Sequence, residues 1–153
     1  MMSTASIQPK AVSQDLLDRS GRGLLTDTPS LYLDCFHLPM TICTFEGKNH
    51  IDNHDDLMAI FSATRAYLIR AGVTDLVRHC LHAAFSGPDT IKATHESRYL
   101  SGSRLHLRPV VAFSVLRRID GLWGVSDSQY AISDSPALAA AVSLQSKKNQ
   151  SDR

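Results

Sequence analysis

Apolar and polar positions divide the chain into a mainly helical first half and a strand-rich second half. Between residues 54 and 71, Leu57, Ile60, Phe61, Thr64, Tyr67 and Leu68 recur at helical spacing, which predicts one long helix with a continuous buried stripe. Asn53 or His54 opens it. Asp55 and Asp56 fall in its first turn, where the helix dipole favours negative charge, and Gly72 is placed to end it. Beyond Thr74 the period changes. Runs rich in β-favouring residues at 74–85, 90–100, 104–119 and 122–132 predict four long antiparallel strands. Ser86-Gly87-Pro88-Asp89, Gly102-Ser103 and Asp120-Gly121 join them. An Asp-Gly pair between two apolar runs is a hairpin signal, because a type I′ turn needs positive φ at both central residues.

Upstream, Ser13 to Leu25 reads as a helix with Leu16, Leu17, Leu24 and Leu25 on one side, weakened by Gly21 and Gly23. Thr28-Pro29 starts a second helix carrying Leu31, Tyr32, Cys35 and Phe36, and Pro39 is expected to end it. Residues 40–45 alternate as a strand, Glu46-Gly47-Lys48 turns, and Asn49-His50-Ile51 returns. An Ala-rich helix is expected from Pro136 to Leu144. Residues 1–12 and 145–153 read as tails around a single domain at 13–144. Two helices, a small hairpin, one long helix and a meander predict an α+β domain, with helices gathered on one side of a strongly bent antiparallel sheet.

Composition adds exclusions. The 153 residues are 43% hydrophobic and 20% charged, with a net charge of +1, so no surface is predicted for nucleic acid or for anionic lipid. No apolar run is long enough to span a membrane, and residues 1–10 lack the apolar core of a signal peptide. Cys35, Cys43 and Cys80 form no CxxC pair, which predicts reduced thiols and a cytoplasmic protein. No cluster of His, Cys, Asp or Glu has metal-ligand spacing, and no glycine-rich phosphate loop or nucleophile elbow is present, so no metal or cofactor is predicted.

Two stretches carry a resemblance. Leu33-Asp34-Cys35-Phe36-His37-Leu38-Pro39 precedes the first strand, and Leu116-Arg117-Arg118-Ile119-Asp120-Gly121-Leu122-Trp123 forms the last hairpin. In this order, over residues 13–133, the chain resembles the nuclear transport factor 2-like superfamily, whose fold is shared by SnoaL-like polyketide cyclases and ketosteroid isomerases. The resemblance implies a cone: a curved sheet wrapped around the long helix, open at one end, with many members dimeric through the outer sheet face. It implies no single function, since the fold hosts enzymes, adaptors and assembly domains.

Side chains alternate across a strand, so each hairpin decides which residues share a face. A two-residue Asp120-Gly121 turn pairs Arg118 with Trp123, Ser114 with Asp127 and Ala112 with Gln129. On the superfamily's analogy the tryptophan points into the cone, taking Ser114, Asp127 and Gln129 with it. Phe113, Val115 and Tyr130 then face outward, as the surface of a homodimer. A Gly102-Ser103 turn adds His95, Ser97 and Tyr99 to the inside; the other register places Glu96 and Arg98 there instead.

The resulting candidates are His95 and Asp127 as an acid–base pair, and Tyr32, His79, Tyr99, Phe61 and Trp123 as ligand contacts. An ionised Asp127 beside His95 would raise the histidine pKa. Each candidate also has a structural reading, as a hydrogen-bonded or packed residue. A ketosteroid isomerase base would stand near Thr44, which has no acid, and Glu46 belongs to the turn, so that chemistry is only half present. Three functions follow: a cofactor-free small-molecule binder of an apolar, carbonyl or acid ligand; an isomerase, cyclase or lyase using His95 and Asp127; or a dimeric interaction domain whose cone is filled.

Overall fold

The computed structural model describes residues 7–144. Helix α1 (Pro9–Thr26) and the single-turn helix α2 (Pro29–Leu33) lead into strands β1 (Phe36–Thr44) and β2 (Gly47–Ile51). Helix α3 (His54–Arg70) follows, then β3 (Asp75–Phe85), β4 (Thr90–Ser101), the two-residue β5 (Arg104–Leu105), β6 (Val110–Ile119), β7 (Leu122–Ala131) and helix α4 (Pro136–Ser143). The strands form one sheet in the order β2-β1-β7-β6-β4-β3, with β5 paired to β4. The meander is antiparallel, and β1 joins it parallel to β7.

Helix α3 is the element the sequence specified most fully. The Asn53 side chain accepts a hydrogen bond from the Asp56 amide (2.8 Å) and caps the first turn. Leu57, Ile60, Phe61, Thr64, Tyr67 and Leu68 are all buried. All but Thr64 join Met40, Ile42, Tyr99, Val110 and residues of α4 in the larger of two cores. Gly72 has φ +72° just beyond the helix, a conformation that costs other residues.

Helix α1 starts at Pro9, four residues before the expected start, so residues 9–12 belong to the domain and not to a tail. The expected tails at 1–6 and 145–153 lie outside the described residues. Its buried face runs Ser13, Leu16, Leu17, Ser20 and Leu24, while Leu25 is exposed. The two glycines that weaken the helix by propensity are packing positions. A Cβ at Gly23 would lie 2.8 Å from both the Thr28 carbonyl oxygen and the Tyr32 amide nitrogen, so only glycine lets α2 fold back this closely. The Gln14 side chain ties α1 to the edge strand β3. It donates to the Arg78 carbonyl (2.8 Å) and accepts from the Cys80 amide (2.8 Å), which occupies the open edge much as another strand would.

The second helix ends at Leu33, not at Pro39. Pro39 lies inside β1, after a cis peptide bond with Leu38 and within a break in the β1–β7 register between Phe36 and Thr41, where a missing N–H is tolerated.

Two irregularities decide which faces turn inward. The strand expected at 104–119 is interrupted after Leu105 and resumes at Val110. Its register to β4 shifts by two residues, from Leu100↔Leu105 to Ser97↔Val110, and an even shift preserves the face. His95, Ser97 and Tyr99 therefore point inward, opposite Ala112 and Val110. In β7 the irregularity is odd. Asp120 (φ +53°) and Gly121 (φ +80°) form the expected two-residue turn with Ile119 opposite Leu122, and the register runs regularly to Leu116↔Val125. The next pair is Val115↔Asp127. Ser126 is the extra residue of a bulge, where it is buried and its hydroxyl donates to the Val115 carbonyl (3.3 Å). Beyond it every side chain changes face. Ser128 and Tyr130 point inward with Ser114 and Ala112; Asp127 and Gln129 point outward with Val115 and Phe113. The expected placements of Asp127, Gln129 and Tyr130 are thus reversed by one residue.

Candidate functional site

Inside the cone, where α1 crosses the sheet, lies a cavity of about 20 Å³. Ser13 and Ser20 of α1, Arg78 of β3, His95 of β4, Ser114 of β6 and Ser128 of β7 are its polar wall. Leu16, Leu17 and Leu116 supply apolar wall from the smaller core, which also contains Cys35, Cys80, Ile91 and Ala93. The space admits one or two water molecules.

His95 is 3% exposed, and its Nε2 has no hydrogen-bond partner among the described residues. Burial holds the imidazole far below its usual range, at about 3, and the Arg78 cation pushes in the same direction. This reverses the expected imidazolium. Among the described residues no carboxylate pairs with it: Asp127 is on the other face of the sheet, half exposed and 4.0 Å from Arg117. The two proposed acid–base partners do not converge.

Arg78 is the functional-looking residue that the sequence reading missed. Its Nη1 donates to Ser20 Oγ (2.8 Å) and more weakly to the Leu17 carbonyl (3.4 Å), and its Nε donates to Ser97 Oγ (3.3 Å). The available signal was parity, since Arg78 shares its face with Leu76 and with the buried Cys80. Ser13 and Ser20 carried a similar signal, lying three residues from Leu16 and Leu17 in phase with the apolar stripe.

The other candidates divide between core, rim and outer face. Tyr32 is buried against Phe36 and Phe61, with ring centroids 4.7 and 5.3 Å away, and burial pushes its phenol well above the usual range. Tyr99 is buried in the same core, its hydroxyl pushed up to about 12 chiefly by burial. Neither they nor Phe61 line the cavity. His79 is exposed on the outer face opposite Glu96, so it is no neighbour of His95 in the cone. Glu96 and Arg98 also face outward and pair with each other at 3.0 Å, which decides between the two registers. Trp123 sits at the rim, half-buried, 6.2 Å from the Phe85 ring and under the Arg118 guanidinium (5.4 Å). Among the described residues no group of three or more His, Cys, Asp or Glu is placed to hold a metal ion, and no helix is long and apolar enough to cross a membrane.

No family model matches the chain, and no curated protein matches its sequence. Solved structures do match. A domain of unknown function with a cystatin-like fold from Nostoc punctiforme is similar with a TM-score of 0.67 at 12% identity, over 99% of this chain and 95% of that one. A nuclear transport factor 2-like protein of unknown function from Shewanella oneidensis gives 0.64 at 10% identity, over 82% and 100%. A protein of the same likeness from Novosphingobium aromaticivorans gives 0.62 at 17% identity, over 88% of each. At these identities the likeness concerns the backbone, and with the curved sheet, the long helix and the Asp120-Gly121 hairpin it establishes that this chain has the α+β cone of the nuclear transport factor 2-like fold.

Proposed function

We propose that the chain is a small-molecule binding protein whose ligand engages the polar wall of the cone, without catalysis. The observation that supports this reading is His95, which lines the void and whose buried Nε2 has no hydrogen-bond partner among the described residues. A buried polar atom left unsatisfied costs about 1–3 kcal/mol, which a bound molecule that completes the hydrogen bond recovers. The void itself accommodates a headgroup only, whereas most ligand pockets enclose roughly 300–1,000 Å³. The remainder of a larger ligand therefore requires outward movement of α1. The acid–base alternative loses its support with Asp127 on the outer face.

A thermal-shift screen of small acids and apolar carbonyl compounds tests the reading. At ten times its dissociation constant a ligand adds about 1.4 kcal/mol, or roughly 3–6 °C for a domain of this size. At least one of the two classes is expected to reach that shift; a flat profile across both removes the binding role.

A second reading, compatible with the first, is self-association through the outer sheet face. Val111 is 42% exposed and Phe45 69%, beside half-buried Phe113 and Val115. Such an apolar face favours a partner surface, and a C2 pair is its simplest form. Tyr130, pointing into the cone, is not part of it. Light scattering at micromolar concentration is expected to report twice the chain mass, and Phe113→Glu to halve it. A wild-type monomer ends this reading.

A further inference from the structure

The polar wall of the cone is chemically one-sided. Arg78 donates only to neutral acceptors, two hydroxyls and one carbonyl, and among the described residues no carboxylate forms an ion pair with it. Arg78 is half-buried, and a guanidinium partly withdrawn from water without a counter-charge favours an anion. Its hydrogen bonds to these acceptors use Nε and Nη1 of a group that carries five N–H donors in a planar fork. The same void is lined by His95, whose Nε2 has no partner among the described residues, and by the hydroxyl-bearing Ser114 and Ser128. Polar side chains thus share the lining of a space of about 20 Å³.

We propose that this cavity receives the headgroup of a small monocarboxylate, held by the Arg78 guanidinium and His95 Nε2; the proposal rests on the cone being a binding site. A carboxylate supplies two acceptor oxygens in one plane and a single negative charge, which matches the fork of an arginine. The charge balance is one to one, because His95 is held neutral and donates without adding a second positive charge. Arg78 also borders an open cleft of about 290 Å³ between α1 and β3, with Asp18, Gly21, Arg22 and Leu76. Gly21 faces the arginine stem, and the Cβ it lacks would lie 3.6 Å from Arg78 Cδ.

The test measures melting temperature and calorimetric binding with sodium formate, acetate and butyrate, against sodium chloride and sodium phosphate at equal ionic strength and against acetone as a neutral carbonyl. Acetate is expected to stabilise the wild-type protein where chloride and phosphate do not. Arg78→Met is expected to weaken acetate binding by about tenfold or more, the loss of one charge-assisted contact. Ser128→Val keeps the arginine and fills the void, and it is expected to abolish the acetate effect; it decides the matter if Arg78→Met does not fold. Wild-type acetate affinity in either folded variant, or phosphate binding in place of acetate, overturns the proposal. Stabilisation by acetone without acetate overturns the carboxylate assignment and leaves the binding role standing. Silence from every probe overturns both.

Discussion

Replacing Phe61 by alanine is expected to remove about 3–5 kcal/mol of folding stability. Phe61 is 1% exposed, the largest of the fully buried side chains, and lies mid-way along α3, where the helix meets Tyr32 and the sheet. The truncated side chain leaves a hole beside Tyr32, in the core that also holds Leu57 of the helix and Met40 and Ile42 of β1. The strands are fixed by their ladders, so the site relaxes little and most of the cavity penalty stays. A loss of this size is a large share of the roughly 5–15 kcal/mol that holds a domain of this size together. Urea denaturation checks it: the midpoint should fall with the slope unchanged. Met58→Ala on the same helix, at a position 37% exposed, should cost within about 0.5 kcal/mol of nothing. A Phe61→Ala loss below about 1 kcal/mol would mean that the helix is not the centre of the core.

How far the fold could be read in advance depended on whether a feature was encoded locally. Helix α3 was legible because stripe, cap and terminating glycine all agree within twenty residues. The Asp120-Gly121 turn was legible because two consecutive positive φ values demand those residue types. The bulge at Ser126 was not. Nothing in Gly124-Val125-Ser126-Asp127 distinguishes a regular strand from one that inserts a residue, and the choice is made by packing across three strands. Because the side-chain period is two, that single insertion moved Asp127 out of the site and brought Ser128 and Tyr130 in. The interruption before Val110 was equally invisible, yet it left the prediction for His95 intact because it shifts the register by an even number. Arg78 was overlooked for another reason. A charged residue in a strand reads by default as solvent-facing, and its inward face emerges only when its neighbours Leu76 and Cys80 are considered together. The site's polar character was hidden likewise, since serines on a helix stripe look like interruptions of an apolar face until Ser13 and Ser20 are seen against the same cavity.

Acidification is expected to destabilise the protein through His95 by about 2 kcal/mol between pH 7.5 and pH 5. In the folded chain this imidazole protonates only near pH 3, against 6.5 for an unperturbed histidine, because burial and the Arg78 cation both disfavour a second positive charge. The unfolded chain therefore binds a proton at pH 5 that the folded chain refuses. Stability rises with pH wherever the unfolded state holds more protons, so the contribution of His95 is complete above about pH 6.5 and is lost progressively as pH falls toward 3. At 3% exposure the side chain has little access to solvent that would screen the effect. The control is His95→Gln, which keeps a polar side chain but cannot titrate. Whatever its own stability, its curve against pH should be flatter than that of the wild type over this interval by the same 2 kcal/mol, roughly 4–8 °C in melting temperature. Parallel curves, or a His95 ring proton whose chemical shift titrates near pH 6.5 in the folded protein, would place the imidazole in contact with solvent and remove the unpartnered Nε2 on which the binding site is built.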